Sequence, residues 1–145
     1  MTAILRSILF ASALGLALGA LPAAASTLKY TADLEAASET PPTTSTGTGI
    51  AAMSYDTTSK MLTWTITYKG MTGDATAAHF HGPAAVGAKA PPVVPIKGNL
   101  ASPITGTATL SDKQAADLGA GMWYFNVHTA KYPDGEIRGQ VLAAK

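Results

Sequence analysis

The 145-residue chain contains no cysteine. That absence excludes disulfides, thiolate metal ligands and a cysteine nucleophile, so an exported form of the fold must rely on core packing or a bound ion. Charge is scarce as well: Asp, Glu, Lys and Arg make up 13% of the residues, ten basic against nine acidic, with no run of either sign. A balance of +1 gives no electrostatic footprint for nucleic acid. The chain is nevertheless no disordered polymer, because 47% of it is hydrophobic, whereas disorder goes with low hydrophobicity and high net charge. Catalytic signatures are missing too. There is no G-x-S-x-G elbow, no H-E-x-x-H and no glycine-rich phosphate loop between a strand and a helix. No catalytic residue is assigned, and binding is expected ahead of enzymatic activity.

What is present begins with a leader. Residues 1–25 have the layout of a secretory signal: Arg6, an apolar run over residues 8–21, then Pro22 and an A-x-A cleavage site at Ala23 and Ala25. The run is shorter than the ~20 apolar residues that span a bilayer, and Ser and Gly interrupt it. The expected mature chain is therefore residues 26–145, one domain, periplasmic or secreted and not membrane-attached. Without Arg6 it is formally neutral.

From residue 28 onward apolar residues alternate with polar ones over short stretches separated by Gly, Pro, Thr, Asn and Asp, which is a β pattern. In residues 61–68, Leu62, Trp64, Ile66 and Tyr68 share one face while Thr63, Thr65 and Thr67 share the other. Similar stretches at 28–34, 49–55, 76–81, 93–97, 105–110, 122–129 and 136–142 predict an all-β antiparallel sandwich or barrel of about seven to eight strands. One short helix interrupts it: Ser111 and Gln114 read as a capping box for residues 112–118, with Gly119 as its left-handed cap. Trp64 and Trp123 are expected in the core, and residues 40–48 and 84–92 read as loops.

All three histidines lie in two of these stretches. His79 and His81 are two apart, so on a strand they point to the same side, with Phe80 turned to the core. His128 alternates with Trp123, Phe125 and Val127, on the polar side with Tyr124 and Asn126. If the two strands are neighbours, three imidazoles meet on one sheet face, which suits Cu(II) or Zn(II) with a position left for water. The turn at Tyr132, Pro133, Asp134 and Gly135 predicts a hairpin that brings Glu136 near His128. Glu136 is a candidate additional ligand, with Asn126 and Arg138 expected behind the ligands; a surface ion pair between Glu136 and Arg138 is the plainer alternative.

Two other readings stand beside the metal site. The histidines can instead clamp the loops that begin at Gly82 and Ala130 by hydrogen bonds to backbone carbonyls. The domain is then a metal-independent protein-binding or adhesion module, with an unknown protein partner contacted through Tyr124, Gln140 and the loops 40–48 and 84–92. A mononuclear copper redox enzyme is the third reading.

The chain also resembles the CHRD domain, named for chordin and found in bacterial exported proteins. The resemblance is carried by Leu34 through Glu39 with Thr40, Pro41 and Pro42, by Ala78, His79, Phe80, His81, Gly82, Pro83 and Ala84, by the segment 110–118, by Asn126, Val127, His128 and Thr129, and by the closing segment 133–141. It implies a β-sandwich or barrel. It does not imply a defined biochemical activity, and the growth-factor binding of chordin is fold-level analogy for a lone domain.

Overall fold

The computed structural model describes residues 25–145, so the expected leader lies outside the described residues apart from Ala25. Among the described residues eight strands run in chain order: β1 (Thr27–Glu35), β2 (Thr48–Asp56), β3 (Met61–Lys69), β4 (Ala75–His81), β5 (Pro92–Pro95), β6 (Ile104–Thr109), β7 (Trp123–Thr129) and β8 (Ile137–Ala143). A single 3₁₀ turn (Ala36–Ser38) follows β1, and helix α1 (Asp112–Gly119) joins β6 to β7. The strands form one sheet in the order β5-β4-β7-β8-β1-β2-β3-β6, every described pairing antiparallel. It curls into a nearly closed barrel, with β5 and β6 as its two edges.

The alternation read from the sequence sets which way each strand faces. Leu62, Trp64 and Ile66 of β3 are buried and Thr63, Thr65 and Thr67 exposed. They pack in the interior with Tyr30, Leu34, Met53, Phe80, Phe125, Val127, Ile137 and Val141, and both tryptophans are buried in this core. On β7, however, all seven residues are buried, polar ones included. Its inner side faces the core, and its outer side is roofed by the segments 36–43 and 82–91 together with the 130–135 turn. The roof is pinned through its carbonyls: Arg138 Nη2 donates to Ala88 O (2.7 Å), Gln140 Nε2 to Ala84 O (2.9 Å) and Tyr124 Oη to Ala90 O (3.2 Å). The expectation that Tyr124 is a surface contact residue fails here, because the 82–91 segment covers it to 4% exposure. Gln140, partly covered, spends its amide on Ala84 O and Gly121 O.

Helix α1 begins as expected. Ser111 Oγ accepts from the Gln114 amide, and Gln114 Oε1 accepts from the Ser111 amide. Its end differs from the sequence expectation. Gly119 is still helical, the cap is Ala120, and the left-handed residue is Gly121 with φ +70°, because the Ala120 amide still bonds back to Ala116 O. Leu118 seats the helix in the core.

Candidate metal centre

β4 and β7 are direct neighbours, with His79 opposite Asn126 and Ala77 opposite His128. Since Ala78, Phe80, Phe125 and Val127 are buried in the core, the two-residue period puts His79, His81, Asn126 and His128 on the outer wall beneath the roof. The three imidazoles are brought together there: one ring nitrogen from each lies within 4.8 Å of the others. The ring centroids of His79 and His81 are 5.4 Å apart and those of His79 and His128 5.0 Å. His81 and His128 are buried and His79 is partly exposed, so the cluster opens to solvent at His79.

Hydrogen bonds fix the tautomers of two rings. His81 Nδ1 lies 2.8 Å from Ala90 O and His128 Nδ1 2.8 Å from Pro133 O. A carbonyl oxygen only accepts, so each Nδ1 carries the proton and each neutral ring keeps its lone pair on Nε2. The two Nε2 atoms point to the same place: both are 3.0 Å from Asn126 Oδ1, and His128 Nε2 is 3.1 Å from His79 Nδ1. Burial, reinforced by the neighbouring histidines, pushes the His79 pKa below its ordinary 6.5. Burial also lowers that of His81, against the raising effect of its bonds to Ala90 and Asn126. Both shifts favour neutral rings at neutral pH.

The residues around this cluster sit in unexpected places. Arg138 is buried, its guanidinium 3.4 Å from the Tyr124 ring centre, and Tyr124 in turn stacks on His81 at 4.6 Å with the planes 4° apart. Glu136 does not join the histidines and makes no ion pair with Arg138. It is fully buried elsewhere, accepting from Ser45 Oγ, from the Thr129 hydroxyl, and from the Thr72 amide (2.8 Å) and hydroxyl (2.7 Å). Glu136 precedes β8, so the turn rather than the ladder sets its direction, and it emerges beside Thr129, on the side opposite His128. Burial opposes its charge, but the hydrogen bonds from Ser45, Thr129 and Thr72 outweigh that and hold its pKa below the ordinary 4.5.

The residue that pattern reading did not single out for the site is Glu39. It is 7% exposed, its Oε1 is buried without a hydrogen-bond partner, and its carboxylate neighbours the Asn126 side chain. Burial raises its pKa, against the opposing effects of the Thr40 amide, Arg138, Asn126 and Lys89. Only its place in the resembling segment marked it, since it lies outside any strand and is brought to β7 by the roof.

These features define an antiparallel β-barrel that carries a roofed histidine cluster on its outer wall. The family model of the CHRD domain matches residues 30–141, and the chain belongs to that family. Comparison with curated proteins and with solved structures gave no match. Among the described residues no helix is long and apolar enough to cross a membrane.

Proposed function

We propose that this domain is an exported binder of one Cu(II) or Zn(II) ion, held by His79 Nδ1, His81 Nε2 and His128 Nε2. The observation that carries the reading is the pair of Nδ1 to carbonyl bonds, from His81 to Ala90 and from His128 to Pro133. Metal-binding histidines commonly donate their other ring nitrogen in this way, which fixes the tautomer and raises ligand basicity. Zn–N bonds of about 2.0–2.1 Å place neighbouring ligands of a tetrahedral ion roughly 3.3 Å apart, so ion capture draws the cluster inward from its 4.8 Å span. Imidazole suits both ions, whereas Cu(I) prefers soft sulfur ligands, and the chain has no cysteine. Export is supported by the leader-like residues 1–25 and by the occurrence of CHRD domains in extracellular proteins.

The same two carbonyl bonds also favour the second reading, in which the histidines clamp the 82–91 and 130–135 segments and no ion is involved. Calorimetric titration of Zn(II) and Cu(II) into the domain separates the two, with a His79→Ala, His81→Ala, His128→Ala triple variant alongside. The metal reading expects one ion per chain, lost in the variant. Equal weak heats from both proteins leave the clamp alone.

A further inference from the structure

With neutral rings and the amide oxygen turned inward, the centre of the cluster contains a conflict that hydrogen bonds do not resolve. With their protons on Nδ1, His81 and His128 both present a bare Nε2 to Asn126 Oδ1 at 3.0 Å. An amide oxygen has no proton to offer. His79 can lend a proton to His128 across their 3.1 Å contact, but His81 Nε2 and Asn126 Oδ1 still face each other as acceptors. A cation among these atoms turns the same arrangement into a set of bonds: three of the separations, 3.0, 3.0 and 3.1 Å, are close to the roughly 3.3 Å between neighbouring ligands on a tetrahedral zinc, and the wider histidine spacing, up to 4.8 Å, closes on capture.

Glu39 accounts for the direction of the amide. The Asn126 side chain and the Glu39 carboxylate meet above Gly135: a Cβ placed on that glycine would lie 2.2 Å from Glu39 Oε1 and 2.8 Å from Asn126 Nδ2. The amide nitrogen is therefore on the Glu39 side and the oxygen on the histidine side. Turned over, the amide would set its oxygen against Glu39 Oε1 whenever that carboxyl is ionised.

We propose that Asn126 is a fourth ligand, binding the ion through Oδ1, and that Glu39 is the positioning residue that turns that oxygen toward the ion. The proposal rests on the three-histidine reading. It makes the shell three nitrogens and one neutral oxygen, built from β4 and β7 alone.

The test uses Cu(II) as the probe, with calorimetry for affinity and electron paramagnetic resonance for the ligand set. It compares the wild type with Asn126→Leu, Glu39→Gln, Glu39→Leu and the Asn126→Asp, Glu39→Gln double variant, each checked for folding by circular dichroism. Asn126→Leu is expected to keep the nitrogen couplings of three imidazoles, to change the copper g and hyperfine values, and to bind at least tenfold more weakly. Asn126→Asp keeps an oxygen donor but sets its second oxygen against Glu39, so it is read in the Glu39→Gln background, whose amide can donate to that oxygen, and there it binds at least as tightly as wild type. Glu39→Leu shows the weakened affinity and altered spectrum, within the 10- to 100-fold range usual for residues that orient ligands, and Glu39→Gln, which still offers an accepting oxygen, restores both. Wild-type affinity and spectrum in Asn126→Leu overturn the ligand assignment, as does loss of binding in the folded Asn126→Asp, Glu39→Gln double variant. Wild-type behaviour in Glu39→Leu, or equal loss in Glu39→Gln, overturns the positioning role. If the triple histidine variant still binds copper as the wild type does, the underlying reading has failed and this proposal falls with it.

Discussion

Consecutive residues at the end of β7 serve opposite sides of the wall. His128 faces the outer cluster while Thr129 gives its hydroxyl to buried Glu136. The two carboxylates of this region divide in the same way, Glu39 with the histidines and Glu136 with hydroxyls. Because Glu136 is held as the anion, Glu136→Leu leaves the Ser45, Thr72 and Thr129 donors without their acceptor and is expected to cost about 2 kcal/mol or more. Its folded pKa lies below the ordinary 4.5, so its contribution is fully present above that value and is lost as pH falls through the lower, folded pKa. Denaturant melts of wild type and Glu136→Gln are therefore expected to differ at pH 7 and to converge in acid; a gap that persists or widens contradicts the assignment. Gly135 is a second test at this scale. With φ +129° and no room for a Cβ beside Glu39, Gly135→Ala is expected to destabilise by about 1–3 kcal/mol, measured by the same melts.

At the scale of elements, what could be read from the sequence was whatever a two-residue period controls. His79 and His81 share a side because β4 is extended, and Asn126 and His128 share theirs because β7 is. The antiparallel pairing of these two strands then closes the cluster. Glu136 escaped that logic by standing one residue before its strand, where the turn at Gly135 decides direction. Glu39 escaped it because a loop that packs by tertiary contact has no period. The roof likewise left no signal beyond its Pro, Gly and Ala content, and so buried Tyr124 and Arg138 read as surface residues. Helix α1 was legible at its start because Ser111 and Gln114 satisfy each other's amides locally. Ser111→Ala is expected to cost about 1 kcal/mol in chemical denaturation without changing metal affinity, since the helix contributes no ligand.

For the whole molecule, the absence of disulfides leaves packing to hold the barrel, so an ion that binds only the folded state adds directly to stability. At free metal 100 times the dissociation constant the gain is about 2.7 kcal/mol, or roughly 10 °C in melting temperature for a domain of this size. Protons compete for the ring nitrogens, so affinity falls on acidification. Because burial lowers the pKa of His79 and His81 from the ordinary 6.5, protons compete for these two rings at lower pH than for free imidazole; affinity already declining steeply between pH 8 and 7 would contradict this. The most direct measurement is a crystal structure of the metal-loaded domain with anomalous scattering recorded at the zinc edge. One zinc ion is expected on the outer wall between β4 and β7, at about 2.0–2.1 Å from His79 Nδ1, His81 Nε2 and His128 Nε2. A loaded crystal with no anomalous peak there, or with its peak at Glu136 or another carboxylate, would contradict it.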